Sequence, residues 1–267
     1  MGSENGIKRK TLGLALGAGG SRGVAHVGFL RALEEAGIKP DYIVGCSMGS
    51  VVGAAYASGM TIDEIERAVL KLRLRHIIAP TLKRGGLCAT RKMRNVLLKY
   101  VGEIDFADLK IPFRCVAVDM ITQETVTLST GKVVDSVVAS SSIPAVFKPT
   151  ETGGMRLIDG GILTRVPYRE VKEMGADVVV AVDVLGDLQT NKERVGTLGV
   201  LLQSLDLMDN HRTKRARLDG KDVIDLWLEP NLEDMSQYSL KRIDFALKRG
   251  YELGKAYAEE IKKKLST

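Results

Sequence analysis

Tyr42-Ile43-Val44-Gly45-Cys46-Ser47-Met48-Gly49-Ser50-Val51-Val52-Gly53-Ala54-Ala55-Tyr56-Ala57 is the stretch on which the reading of this chain turns. It opens as a short apolar strand, passes through Gly-x-Ser-x-Gly, and continues as a helix of small residues. A serine on so sharp a strand-to-helix turn presents its hydroxyl at the mouth of a sheet. Glycines two residues to either side let strand and helix crowd where a Cβ would clash. The helix N-terminus beyond Ser47 favours developing negative charge. Ser47 is therefore the candidate nucleophile; the alternative is a tight turn of purely structural use.

A second glycine cluster lies upstream. Leu12-Gly13-Leu14-Ala15-Leu16 has the pattern of a buried first strand and runs into Gly17-Ala18-Gly19-Gly20-Ser21-Arg22-Gly23. A helix follows, with Val24, Val27, Leu30 and Leu33 on one face and Gly37 as its stop. A glycine loop between strand and helix exposes backbone N–H groups to an anion. A dinucleotide loop needs glycine where Arg22 stands, and a P-loop needs a Gly-Lys-Ser/Thr ending that is absent. What remains is the oxyanion of an acyl-transfer intermediate or a plain turn.

A serine nucleophile needs a base. His26 falls among Val24, Val27 and Phe29 and is expected to pack inside a helix. His76 sits in an exposed basic stretch. His211 belongs to a polar helical run, although the order Ser47, Asp183, His211 matches that of an α/β-hydrolase triad. Asp159 is the stronger candidate. Met155-Arg156-Leu157-Ile158 forms a short strand, and Asp159-Gly160-Gly161 turns sharply after it, with both glycines free to take positive φ. Partial burial there would raise the carboxylate pKa and make it a better base.

Taken in order, Gly19-Gly20-Ser21-Arg22-Gly23, Gly45-Cys46-Ser47-Met48-Gly49 and Asp159-Gly160-Gly161 resemble the patatin-like phospholipase family. Ala25-His26-Val27-Gly28 is similar to its bacterial and neuropathy-target-esterase branch. Ser142-Ile143-Pro144-Ala145-Val146-Phe147 resembles the segment before the family's aspartate, and Ala176 to Asp183 the strand after it, so the likeness spans about residues 11–184. It implies a Ser47–Asp159 dyad without catalytic histidine, an oxyanion hole of N–H groups around Gly19, Gly20 and Ser21, and a lipid ester substrate. Ala18 departs from the family's first loop glycine, which matters only if its φ must be positive. Thr164-Arg165 departs from an asparagine-rich stretch and bears on substrate-side contacts.

The rest of the chain fits this frame. Its 267 residues, 45% hydrophobic, suffice for one sizeable core. Apolar strands are expected near 11–17, 41–46, 112–119, 156–158, 177–184 and 223–228, with 125–128 as a hairpin partner of 112–119. Helical patterns alternate with them, which argues α/β with a mostly parallel sheet; with the resemblance, the expected architecture is three-layer α/β/α. Residues 1–10 are expected to be a flexible N-terminus and 11–267 one hydrolase domain. A mobile stretch is expected near 76–90, around Pro80, Gly85 and Gly86, and a surface helix over 239–262 ending in lysines.

Cys46, Cys88 and Cys115 are scattered without C-x-x-C spacing, so neither a disulfide frame nor a metal site is expected, which fits a reducing, cytoplasmic setting. Cys46 is expected to face the sheet as a bystander. No cofactor is implied. No run of about 18 apolar residues suggests a membrane span, Met1 to Lys10 lacks a signal-peptide core, and Gly6 breaks a myristoylation pattern. The net charge is +6, yet residues 67–99 hold ten Lys or Arg and no acid, leaving the remainder net −4. Leu70, Leu74, Ile77 and Ile78 would line a basic amphipathic helix, suited to a lid or to peripheral contact with an anionic membrane; a solvated helix pair over the sheet is the alternative. Nucleic acid is not expected as a partner, since no aromatic residues interleave the charges. A serine lipid acyl hydrolase is the leading reading. A Ser-His-Asp esterase or acyltransferase, and a non-catalytic lipid- or protein-binding regulator on the same scaffold, are its rivals.

Overall fold

The computed structural model describes residues 9–77, 88–186 and 196–266. Most of the expected N-terminal tail, Thr267, and the stretch containing Ile78, Pro80, Gly85 and Gly86 lie outside the described residues.

Eight strands, β1 (Leu12–Leu16), β2 (Tyr42–Cys46), β3 (Phe113–Asp119), β4 (Glu124–Leu128), β5 (Thr150–Thr152), β6 (Met155–Asp159), β7 (Val178–Val182) and β8 (Leu226–Leu228), form one sheet among the described residues. Its order is β5-β6-β3-β2-β1-β7-β8, with β4 pairing β3. The strands β3, β2, β1, β7 and β8 are parallel neighbours; β4, β5 and β6 join antiparallel. The fold is α/β with a mixed, mostly parallel sheet. Every residue of β1 and β7 is buried, as expected of parallel strands covered on both faces.

The helices are α1 (Ala25–Glu35), α2 (Met48–Ala57), α3 (Ile62–Lys71), α4 (Leu74–Ile77), α5 (Arg91–Val101), α6 (Val133–Ser140), α7 (Tyr168–Lys172), α8 (Thr197–Asp219) and α9 (Ile243–Ser266). Leu12, Leu14 and Leu16 face the larger core with α1, α2 and α9, while Ala15, Val179 and Ala181 face the smaller one with α7. The alternation of large and small residues in β1 follows from this asymmetry. A Cβ at Gly13 would sit 2.6 Å from the Ala176 Cβ and 2.8 Å from a Val171 methyl.

Two expectations are corrected here. The C-terminal helix is no surface element: Ile243, Ala246, Leu247, Ala258, Ile261 and Leu265 are buried, and α9 packs closely on α1. Helix backbones touch there, because a Cβ on Gly250 would strike the Ala25 carbonyl and one on Gly28 the Leu247 carbonyl. This makes a test by sign. Gly250→Ala on a surface helix should stabilise by about 1 kcal/mol, whereas here it is expected to destabilise by about 1–3 kcal/mol through overpacking, read as a lower denaturant midpoint.

The second correction concerns the basic segment. No single amphipathic helix runs through Leu70 and Ile77: α3 stops at Lys71, and Leu72 is extended with φ −66° and ψ 136°. The buried stripe of α3 is Ile62, Ile65 and Val69, and Leu70 is exposed.

Candidate active site

Ser47 ends β2 and caps α2 with φ 51° and ψ −121°. A non-glycine residue held there stores about 1–3 kcal/mol of strain. The flanking glycines are dictated by close approach. A Cβ on Gly45 would strike the Ser50 Cα, and one on Gly49 the Leu16 carbonyl. The Ser47 carbonyl accepts from the N–H of Ser50 and Val51 and from the Ser50 hydroxyl at 2.6 Å, which locks the turn.

The sheet brings Asp159 to this serine. Cys46 pairs with Val116 of β3 and Asp159 with the next residue, Ala117. Both Val116 and Ala117 give their other edge to β4. Strands β2 and β6 therefore follow one another along the same edge of β3, running in opposite directions, and their C-terminal ends meet. The Ser47 hydroxyl donates to Asp159 Oδ2 at 2.6 Å. Oδ1 accepts the Gly161 N–H at 2.8 Å, which orients the carboxylate and leaves Oδ2 for the serine. The Asp159 N–H donates to the Ser142 carbonyl at 3.0 Å. Neither Gly160 nor Gly161 adopts positive φ, contrary to expectation; Gly160 is required because a Cβ would lie 2.5 Å from the Val116 carbonyl.

Burial pushes the Asp159 pKa up to about 6, against the lowering effect of the Ser47 hydroxyl and Gly161 N–H bonds, with the nearby charge of Asp209 adding to the rise. A carboxylate with that pKa is mostly ionised at neutral pH and far more basic than an exposed aspartate.

The glycine loop packs on both the serine turn and the chain's late segments. Gly20 has φ 51°, and a Cβ on Gly23 would strike the Met48 side chain. Ala18 takes no positive φ, so alanine is tolerated, and its N–H donates to the Arg165 carbonyl at 2.9 Å. The Ser21 N–H already donates to the Gln237 carbonyl at 2.9 Å, so this donor, expected to face the serine, is committed elsewhere. The N–H groups of Gly19 and Gly20 have no acceptor among the described residues. Met48, the first residue of α2, has an N–H beyond reach of any intrahelical carbonyl. Sequence reasoning passed over this candidate donor, although its place right after the candidate nucleophile was the signal.

Arg22 anchors the loop. Its guanidinium is buried and donates to the carbonyls of Val184 at 2.8 Å and Met235 at 2.9 Å. Burial lowers its pKa to about 10, with Asp183 opposing the fall. His26 is a packing residue, as expected. It is fully buried in α1, its pKa lowered to about 4 by burial, and the ring is neutral, so Nε2–H donates to the Gly17 carbonyl at 2.9 Å.

The remaining candidates take other places. Asp183 Oδ2 is bound by Arg165 at 2.7 Å in a buried ion pair, and His211 is exposed on α8, so the Ser47, Asp183, His211 order is not assembled into a triad. Arg165 also grips Asp209 at 2.9 Å and Asn210 at 2.6 Å. It therefore serves the scaffold rather than a substrate. His76 is exposed. The Cys46 thiol lies 4.0 Å from Asp159 Oδ1, and burial first, then the charge of Asp159, raises its pKa well above normal, which keeps it protonated and inert. Two supports went unread in the sequence. The Ser140 hydroxyl accepts the Ser47 N–H at 3.0 Å, and Arg212 donates to the Gly161 carbonyl at 3.1 Å. Among the described residues no group of three or more His, Cys, Asp or Glu could hold a metal, and no helix is long and apolar enough to cross a membrane.

A cavity of about 370 Å³ opens at Ser47 and runs between α2, α3 and α5, lined by Met48, Val52, Ala55, Val69, Met93 and Leu97 among others. The apolar faces of the basic segment thus form its wall, and Leu72 and Ile77 line it as well.

A model of the patatin-like phospholipase family matches residues 14–172. An uncharacterized NTE family protein of Mycobacterium tuberculosis is 36% identical over 65% of this chain and 49% of its own length. A lysophospholipase of Aspergillus fumigatus is 28% identical over 95% of this chain and 18% of its own. The chain thus spans about half of the first relative and under a fifth of the second. Among solved structures, VipD from Legionella pneumophila matches with a TM-score of 0.64 and 15% identity, covering 95% of this chain and 67% of that one, a likeness of fold.

Proposed function

Because the chain belongs to the patatin-like phospholipase family, we propose that it is a serine lipid acyl hydrolase, cleaving carboxylic esters of the phospholipase A or lysophospholipase type. The observation that carries the reading is the Ser47 hydroxyl 2.6 Å from Asp159 Oδ2 at the mouth of an apolar cavity.

Ser47 Oγ attacks the ester carbonyl while its proton passes to Asp159 Oδ2. The carbonyl oxygen becomes an oxyanion held by the free N–H groups of Gly19 and Gly20 and by Met48 at the start of α2. Each well-aimed donor of this kind is worth about 2.7–4 kcal/mol of barrier. The tetrahedral intermediate collapses, the ester C–O bond breaks, and Asp159 returns the proton to the leaving alcohol. Water, losing its proton to Asp159, then attacks the acyl-Ser47 carbonyl; the bond from Ser47 Oγ to the acyl carbon breaks, Asp159 returns the proton to Ser47 Oγ, and the fatty acid leaves.

The cavity supports an acyl-chain site. A cavity of about 150 Å³ accepts benzene, so about 370 Å³ takes roughly fifteen carbons in proportion. Across a series of p-nitrophenyl esters, kcat/KM is expected to rise with chain length by up to about fourfold per methylene and to level off near that size. Leu97→Trp, which fills the cavity, is expected to move the plateau to shorter chains; an unchanged profile would remove the chain from this cavity.

The reading as a whole is tested by incubation with a fluorophosphonate in the presence of lipid, followed by peptide mass spectrometry. A single adduct on Ser47 is expected. Folded protein without adduct would overturn the hydrolase and turn attention to a non-catalytic binding role. Faster acyl transfer to an added alcohol than to water would make the enzyme an acyltransferase.

A further inference from the structure

Helix α8 lies beside the site, against two of its supports. Asp206 accepts from Gln237 Nε2 at 2.9 Å and from the Tyr238 hydroxyl at 3.1 Å, and both of those residues line the cavity. About one and two-thirds turns later, Arg212 holds the Gly161 carbonyl beside Asp159. Between them, Asp209 and Asn210 bind Arg165. The polar side of the helix is thus turned inward.

Its outward side is the unusual one. Of the large apolar residues standing exposed among the described residues, Val200, Leu201, Leu207, Met208 and Leu218 all lie on α8, with exposures from 46% to 65%. Val200, Leu207 and Leu218 are separated by close to whole numbers of turns and form one stripe at about 3.6 residues per turn. Leu163, just past the Asp159 turn, and Ile121, beyond the end of β3, are further exposed apolar residues. Such a patch on a soluble surface marks a contact site.

We propose that the outward face of α8 is the surface by which this protein sits on an anionic phospholipid bilayer, bringing the mouth of the Ser47 cavity to the lipid. The inference rests on the lipid hydrolase reading for its purpose, and on three observations for its chemistry. The apolar half of the helix is followed on the same outward side by Lys214 and by Arg215, which is ion-paired to Asp219 at 3.2 Å, whereas Asp206 and Asp209 are turned inward and bonded. A second group of cations, Arg67, Lys71 and Lys99, lines a groove that adjoins the same cavity through Met60, Ala68 and Tyr100. The chain carries a net charge of +6. An apolar stripe flanked by cations complements anionic headgroups over acyl chains. A second copy of this chain would oppose like charges across the contact. The basic segment 67–99 exposes only Leu70 among its large apolar residues that are described, so it attracts the surface while α8 enters it.

The test uses the full chain with Ser47→Ala, so that vesicles are not consumed, in flotation with vesicles of phosphatidylcholine alone and mixed with phosphatidylglycerol. Binding to the mixed vesicles is expected, with weaker binding to phosphatidylcholine alone. Leu207→Asp with Met208→Asp is expected to lower partitioning about tenfold or more, and in the Ser47 protein to leave turnover of a short soluble ester within about twofold. Leu207→Ser with Met208→Ser serves if the charged pair does not fold. Equal flotation of the variants, no flotation of the parent chain, or a parent dimer that the variants dissociate would each overturn the proposal. Because binding is read in an inactive chain, its failure is distinct from failure of the hydrolase, which the fluorophosphonate adduct reports.

Discussion

Replacing Ser47 by alanine is expected to lower kcat/KM on any accepted ester by at least about 10⁴-fold, because no other group can form the acyl intermediate. The fluorophosphonate adduct should vanish with it. Activity that survived would place the nucleophile elsewhere. The same position offers a second readout. Alanine keeps the strained φ 51° and ψ −121° of the turn, whereas glycine relieves it. Ser47→Gly is therefore expected to be equally inactive yet more stable than Ser47→Ala by about 1–2 kcal/mol in chemical denaturation. Both variants lose the same hydrogen bond to Asp159, so their difference isolates the backbone. Equal stabilities would mean that the turn is unstrained.

Asp159→Asn is expected to cost about 10²–10⁴-fold in kcat/KM, since an amide of the same shape cannot take the serine proton. In the parent protein, kcat/KM should rise with pH through an apparent pKa of about 6, as the carboxylate loses its proton. A profile flat from pH 4.5 to 8 would sink Asp159 as base. Stability should move the other way. The folded carboxyl titrates at about 6 and the unfolded one near 3.9. Between those values the folded chain keeps a proton that the unfolded chain releases, so stability falls as pH rises through this window and is level above it. The difference of about two pKa units corresponds to about 3 kcal/mol. Asp159→Asn is thus expected to be as stable as the parent near pH 4 and more stable above pH 6, by up to that amount less the value of the bond to Ser47. A buried carboxylate held at a cost to stability is the compromise between function and folding expected if Asp159 is the proposed base.

Much of the site was legible because its signals are local. Gly45 and Gly49 announce a turn whose sterics involve only nearby chain, and the alternation of Leu12, Leu14 and Leu16 with small residues announces a strand covered unequally on its two faces. Gly37, at φ 73°, ends α1 as its place after the apolar stripe requires. The C-terminal helix was misjudged even though its buried stripe from Ile243 to Leu265 follows helical spacing. Gly250 and Gly254 sit in it as contact points that only the packing on α1 reveals. Likewise the departure at Thr164-Arg165 bears on substrate-side contacts in the sequence, whereas in the fold Arg165 is held by Asp183 and Asp209.

What the sequence by itself determined is the sharp strand-to-helix turn at Ser47, the glycine loop and the family, because steric demands on glycine and the order of motifs are written along the chain. The choice among carboxylates belongs to the tertiary structure. Asp159 ends a strand, Asp183 directly follows one, and both precede turns. Asp159 meets Ser47, 112 residues away, because β2 and β6 share one edge of β3 and end against each other, while Asp183 follows β7 and is paired with Arg165. The register of that edge is a non-local pairing, and the burial that raises the Asp159 pKa is a sum over side chains from the whole fold. Neither quantity exists until the sheet has closed around them.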